Sequence, residues 1–255
     1  MPNPIRLVIP IDSDDVDAWS FAVGYAEAIG TQAQPNAKEY VLLTHGKQQL
    51  KHTSLARHMG DAAAKALLAN RTVGLPQGNQ LRHATMQTLG GYARGAVIVA
   101  YYADEKMLEM LDGIEGLVGI VAVPDLPDRI DGWIARWNAA VHGQQPSAPA
   151  VLISDPVVEK ALSSLSGWIN LSHNIMNPRD KDHADETLRI LRAKGHVFEP
   201  GKMKSWAIRN GWKPGAADEL AKLATRIGAL QTKPSLGKYH DPHGRYDRWK
   251  QEASS

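Results

Sequence analysis

Residues 96–101 read Ala-Val-Ile-Val-Ala-Tyr, six positions without a charge or a turn-forming residue. A strand open to water on one face alternates apolar and polar side chains. An unbroken apolar run of this length suits a strand covered on both faces, as in a parallel sheet. Three further segments share the character: Ile5–Ile11 (IRLVIPI), Tyr40–Thr44 (YVLLT) and Leu117–Val123 (LVGIVAV). Pro10 has no amide hydrogen for a ladder, which places the end of the first strand near it.

Helical stripes lie between these runs. Val16, Trp19, Val23, Ala26 and Ile29 form one, and Leu55, Met59, Ala62, Ala66 and Leu67 a second. Met107, Leu108 and Leu111 form a third; Ile130, Trp133, Ile134, Trp137 and Val141 form the strongest. Strand followed by helix, repeated, implies right-handed crossovers. The predicted fold class is therefore α/β: an N-terminal doubly wound, mostly parallel sheet of about four strands. The long segment 75–95 is predicted to carry a helix over 81–89 and to act as a flap.

The pattern changes near residue 143. A Gly-Gln-Gln-Pro-Ser-Ala-Pro stretch spans 143–149. The chain divides on this reading into an α/β domain at 1–143, a linker at 144–154, a small all-helical bundle at 155–230 and a basic, aromatic-rich C-terminal tail at 231–255. Asp155-Pro156 supplies a cap followed by Pro at the first helical position. That helix is predicted to run to about Ile175, where Asn177-Pro178 breaks it. Further helices are expected over 183–194, from Glu199-Pro200 to Asn210, and from Pro214 to Gly228.

Charge follows the same division. The 255 residues carry a net charge of +2. The first 149 residues hold 12 Lys and Arg against 15 Asp and Glu; the remainder hold 17 against 12. Residues 187–255 alone hold 14 against 6, which favours acidic or phosphate-bearing partners. With 43% hydrophobic and 22% charged residues the chain has the composition of a folded protein. It has no cysteine, which excludes disulfides, thiol nucleophiles and Cys-ligated metals. No apolar run reaches the ~20 residues of a membrane span. The expectation is a cytoplasmic protein without a membrane partner, able to form homo-oligomers.

In doubly wound sheets ligands bind outside the carboxyl ends of the strands. Four clusters fall there: Asp12-Ser13-Asp14-Asp15, then Thr44-His45-Gly46-Lys47, then Tyr101-Tyr102 with Asp104-Glu105, and finally Asp125 with Asp128. Asp12, Asp14, His45 and Asp125 are the catalytic candidates, and Thr44, Lys47, Tyr101 and Asp104 the ligand-binding candidates. Converging carboxylates could hold Mg²⁺ for phosphate chemistry. Helix capping accounts for the same acids one at a time: Ser13 or Asp14 before the first helix, Asp104 or Glu105 before Met107, Asp125 or Asp128 before Ile130. The turn after the first strand lacks a G-x-G-x-x-G pattern, no Walker A sequence is present, and no G-x-S-x-G elbow occurs.

The order Asp12-Ser13-Asp14-Asp15-Val16 after a strand, with Thr44 ending a later one, resembles the first two motifs of haloacid-dehalogenase-type phosphatases. That resemblance implies Mg²⁺-dependent phosphoryl chemistry at Asp12 and Asp14. Asp125 and Asp128, separated by Leu-Pro, depart from the final acidic pair of that family.

In the second half, Arg209-Asn210-Gly211-Trp212-Lys213 has the length of a helix-turn-helix connection. Lys202, Lys204, Arg209 and Lys213 surround it. The helix that would read bases opens with Asp218-Glu219 near its start, which opposes phosphate. In the tail, Lys238, Arg245 and Arg248 alternate with Tyr239, Tyr246 and Trp249, a pattern suited to phosphate contacts and base stacking. His173, Asp180, Asp182, His183 and Asp185 lie close in sequence, more as caps and surface groups than as metal ligands.

The function expected from these features is a two-domain regulatory or interaction protein. An α/β sensing or scaffolding domain would be coupled to a basic helical domain that contacts nucleic acid or an acidic protein partner. The alternatives are a Mg²⁺-dependent enzyme acting on a phosphorylated or nucleotide substrate at the strand ends, and a structural subunit self-associating through the Trp133–Trp137 helix.

Overall fold

The four apolar runs all become strands of one sheet, and three short strands join them. The computed structural model describes residues 3–35, 37 and 39–254, and divides into two units, Met1–Pro149 and Ala150–Ser255. The strands of the first unit are β1 (Ile5–Val8), β2 (Glu39–Thr44), β3 (Val73–Gly74), β4 (Gln80–Thr85), β5 (Ala96–Ala103), β6 (Gly119–Pro124) and β7 (Ala140–Val141). Their order across the sheet is β3-β4-β2-β5-β6-β1-β7, parallel throughout except for the β3–β4 pair. The α/β fold is thus as read from the sequence.

The additional strands come from pairing. Residues 81–89 were expected to be helical, but β4 runs beside β2 in register from Tyr40↔Leu81 to Thr44↔Thr85. A strand next to an unpaired edge gains a ladder of hydrogen bonds that a local helical pattern does not reveal. The helix expected to reach Val141 stops at Trp137. Asn138 takes a left-handed conformation (φ 51°), and the chain returns as β7 along the edge of β1.

The helices of this unit are α1 (Val16–Gln32), α2 (Lys47–His52), α3 (Ser54–Met59), α4 (Asp61–Leu68), α5 (Glu105–Asp112) and α6 (Asp131–Trp137). Leu42, Val97, Val99 and Val121 point to one face, where they meet Ala22, Ala26, Leu50, Leu55 and Leu67 of α1–α4. Val41, Leu43, Ile98 and Ala122 point to the other, against Met107, Leu108, Ile130 and Trp133. The sheet is doubly wound because neighbouring residues of each strand face opposite layers. Gly119 lets α1 lie close to the sheet: a Cβ there would sit 2.5 Å from Ile29 Cγ2.

Between α5 and α6 lies a buried charge network. Arg136 bonds Asp112 at 2.9 Å and Glu105 at 2.7 Å, with Glu109 at 3.5 Å. Arg6 reaches Asp112 from β1 at 3.6 Å and lies over the Trp137 ring. Burial lifts the Asp112 carboxyl above its ordinary pKa, and the two arginines oppose that rise. Trp133 is 0% exposed and donates to Asp112 at 3.2 Å. Trp133 is thus covered within the unit, while Trp137 stays partly exposed beneath Arg6.

The second unit has five helices among the described residues: α7 (Pro156–Ser166), α8 (Pro178–Ala193), α9 (Pro200–Arg209), α10 (Pro214–Gly228) and α11 (Pro242–Ala253). All five open on proline, which fixes φ for the first turn and removes an amide that has no helical partner. Asp155, Asn177 and Asp241 cap three of them. α7 is shorter than expected, and Asn177-Pro178 is the opening of α8 rather than only a break. The tail forms α11, packed on α7 and α8 with Trp249 buried. Among the described residues no helix is long and apolar enough to cross a membrane.

Candidate functional site

Strand order defines where a ligand site can lie in the α/β unit. β2 passes its chain to α2–α4 on one face, and its neighbour β5 passes its chain to α5 on the other. The two connections diverge at the carboxyl ends of β2 and β5, the topological switch point at which doubly wound sheets bind ligands.

His45 follows β2 and reaches across this point to the end of β5. Its Nε2 lies 3.2 Å from the carbonyl oxygen of Tyr102 and 3.6 Å from Asp104 Oδ1. A carbonyl only accepts, so Nε2 carries the hydrogen. The His45 amide donates to Gln49 Oε1 at 2.7 Å, which anchors the residue to α2. Tyr102 has φ 58°, a left-handed conformation unusual for a side-chain-bearing residue, at a register shift between Tyr101 and Ala103. That bulge turns the Tyr102 carbonyl away from the ladder and toward His45. Backbone of this kind is held by its surroundings and concentrates at functional sites.

A second chain of polar groups meets the same edge. Ser54, at the start of α3, donates to Asp14 Oδ1 and lies 3.4 Å from the Tyr102 hydroxyl. Below it, Thr44 Oγ1 donates to the Gly46 carbonyl at 3.1 Å and lies 2.9 Å from His83 Nε2. The hydroxyl's one proton is engaged by Gly46, so His83 is the donor to Thr44. Burial, with Lys47 nearby, pushes the His83 pKa down to about 4. His83 is therefore neutral near pH 7.

The candidates fare differently. His45 and Asp104 meet, Asp14 joins them through Ser54 and Tyr102, and Thr44 reaches the edge through His83. Asp104 also caps α5, accepting from the Met107 amide at 2.8 Å. Lys47 bonds Asn70 Oδ1 at 3.2 Å. Tyr101 is wholly buried and donates to the Ser13 carbonyl at 2.9 Å, so it is an anchor for the β1 loop rather than a ligand contact. Its pKa is raised by burial first and by the neighbouring acids. Asp12 closes a turn on the Asp14 amide, and Asp15, not Ser13 or Asp14, caps α1. Asp125 pairs with Arg129 at 3.7 Å on the surface and caps no helix; α6 opens without a side-chain cap.

Among the described residues no three His, Asp or Glu side chains come together in a metal-binding group. Asp12 closes a turn, Asp104 caps α5, Asp14 accepts from Ser54 and Asp125 pairs with Arg129. His83 and Ser54 were missed by the sequence reading. Gly78-Asn79 ahead of Leu81 was the available signal, since a turn pair before a short apolar run marks a strand.

Many basic residues of the second unit are paired or bonded within it, although several stay exposed. Lys202 pairs with Glu199 at 2.8 Å, and Lys204 with Asp218 at 3.5 Å. Arg209 donates to the Ala150 carbonyl at 3.3 Å. Arg245 holds Glu186 at 2.8 Å, Arg248 lies 3.5 Å from Asp241, and Lys238 covers Tyr239. Lys213 ends the α9–α10 turn, immediately before Pro214.

Residues 154–250 match a family described as a domain of unknown function (DUF1889). The matched segment lies within the helical unit and takes in all five of its helix starts. No curated protein and no solved structure matches the chain.

Within that segment the acids near the start of α10 hold the bundle together. Glu219 accepts from the Met176 amide at 2.9 Å and pairs with Lys181, and Asp218 bonds Lys222. The tail aromatics are engaged too. Trp249 is buried, Tyr239 donates to Asp185 at 3.3 Å, and the Tyr246 hydroxyl meets His196 Nε2 at 3.1 Å. His196 in turn bonds Asp155, the cap of α7. The tail rings are thus packing and bonding groups of the bundle rather than a free base-stacking row.

Proposed function

We propose that the chain is a cytoplasmic, two-domain regulatory or interaction protein. Its Rossmann-like α/β unit binds a small polar ligand at the β2–β5 switch point, and its helical unit engages a macromolecular partner. The observation that carries the reading is the His45–Tyr102 bridge: a half-exposed imidazole facing a left-handed carbonyl at the point where two crossovers diverge. Asp14, Asp104, Ser54 and Tyr102 around it favour a ligand carrying hydroxyl or amino groups. Two acids at the edge disfavour a phosphate.

Between the two partner classes named for the helical unit, the ion pairing within the bundle favours a protein over nucleic acid. Cations already held by Glu199, Asp218, Glu186 and Asp241 release fewer counterions on meeting phosphates.

The test is a thermal-shift screen of the full chain against nucleosides, polyols and amino compounds. One class is expected to stabilise the protein, and His45→Ala to weaken that ligand about tenfold while leaving the unliganded melting temperature unchanged. A screen in which no class stabilises the wild type defeats the ligand-binding role. A gel-shift series across salt concentrations addresses the partner. Tight, steeply salt-dependent binding would replace the protein partner with nucleic acid.

A further inference from the structure

The helical unit contains a cavity of about 510 Å³ lined by Trp168, His183, Glu186, Arg245, Arg248 and Trp249, among others. We propose that this cavity binds a flat aromatic ligand carrying an anionic group, of the size of a mononucleotide. The proposal is independent of the β2–β5 switch point in the α/β unit.

Size is the first support, since cavities of roughly 300–1,000 Å³ hold cofactor-sized molecules. The second is Trp168. It follows the end of α7 and is 67% exposed, although it is among the largest apolar side chains of the chain. Its ring partner is His183, with centroids 5.9 Å apart at 44°. An indole placed at a cavity mouth offers a stacking surface for a planar ring. Trp249 closes the cavity from α11 and is buried, so the wall behind that surface is firm.

The third support is the balance of donors and acceptors. The two carboxylates in the lining are already engaged. Glu186 accepts from Arg245 at 2.8 Å; Asp241 caps α11 through the Gly244 amide at 3.0 Å and lies 3.5 Å from Arg248. Each guanidinium has five N–H donors. Arg245 uses donors on Glu186 and on Thr187, and Arg248, with its side chain 60% exposed, makes a single long contact with Asp241. The arginines therefore retain donors after the acids are satisfied. His183 adds a buried Nε2 with no hydrogen-bond partner in the same wall, a donor or an acceptor according to its tautomer, so the donor surplus rests on the arginines. Surplus donors beside an indole favour an acceptor-rich anion over a cation or a neutral hydrocarbon.

The experiment is isothermal titration calorimetry of the full chain with adenosine and guanosine monophosphates. The nucleosides and inorganic phosphate serve as separate probes. Saturable binding of at least one monophosphate is expected, with its nucleoside and phosphate alone each at least about tenfold weaker. Trp168→Ala is expected to abolish the heat signal, and Arg248→Ala to weaken binding about tenfold. Both side chains are largely exposed, so the variants should melt with the wild type, and a melting scan checks this. No saturable signal at millimolar monophosphate overturns the proposal. So does binding that survives both substitutions, or a nucleoside that binds as tightly as its monophosphate.

Discussion

The α/β unit and the helical unit use their polar side chains in opposite ways. In the α/β unit one group of charges is buried in a network around Arg136 and Asp112, and another lies at the carboxyl edge of the sheet. In the helical unit they lie on helix surfaces and tie neighbouring helices together, as Arg245 does with Glu186 and Lys181 with Glu219. A sheet aligns the ends of segments distant in sequence, so it can concentrate function where the chain leaves it. A bundle of short helices has no common edge, and its caps and ion pairs go into holding the helices in place.

The comparison is most easily broken at Arg136. Arg136→Ala would leave Glu105 without its cation and buried Asp112 with only Arg6, at 3.6 Å. It should destabilise the α/β unit by about 3–5 kcal/mol, and pairing it with Asp112→Asn should recover part of the loss. Urea unfolding combined with hydrogen exchange at β1 and β6 would measure this. A loss below about 1 kcal/mol would mean the buried network holds no more than a surface pair does.

The strand-end edge can be tested through pH. The folded pKa of His83 lies near 4, below its ordinary 6.5, so the unfolded chain binds the extra proton first. The stabilisation is complete above about pH 6.5 and is lost as pH falls toward 4, by on the order of 3 kcal/mol. His83→Gln keeps an N–H for Thr44 but does not titrate. It should remove that part of the acid sensitivity, which urea melts at about pH 7 and about pH 4.5 would detect as a flatter difference. Identical pH profiles for the two proteins would show that His83 is not held neutral at the edge.

A smaller effect is expected at the junction of tail and bundle. Burial works against the Asp155 carboxylate, but the His196 hydrogen bond and the Val158 and Val157 amides outweigh it and hold its pKa below the ordinary value. Its contribution is therefore present near neutral pH and is lost as pH falls through that lowered pKa. Asp155→Ala removes the α7 cap and the partner of His196, at about 1–2 kcal/mol by thermal unfolding. Limited proteolysis should then cut sooner near α11, because His196 also holds Tyr246. An unchanged cleavage rate would separate the tail's packing from this chain of bonds.

Legibility differed between the units for the same reason. Each helix start of the bundle is written locally, as in Asp155-Pro156, Asn177-Pro178 and Glu199-Pro200, and α9 and α10 fall where the sequence placed them. The tail helix opens on Asp241-Pro242 in the same way but went unread beneath its basic and aromatic pattern. In the α/β unit the four buried strands were legible from their apolar runs, whereas β4 and β7 depend on partners far along the chain. His83 was overlooked along with β4. His45 and Asp104 could be named from the strand ends, but their meeting could not.

The α/β character of the first half, the helical character of the second and the starts of most helices are written in local stretches of chain. Apolar periodicity, proline and capping residues act within a few positions of themselves. The order of the strands, the divergence of the chain at β2 and β5, and the burial of Trp133 and Trp249 emerge only on folding. Folding likewise set the separate partners of Asp12, Asp14 and Asp125, which are the Asp14 amide, Ser54 and Arg129. Those outcomes depend on which distant segments pair and pack, and pairing energy belongs to no single stretch of chain.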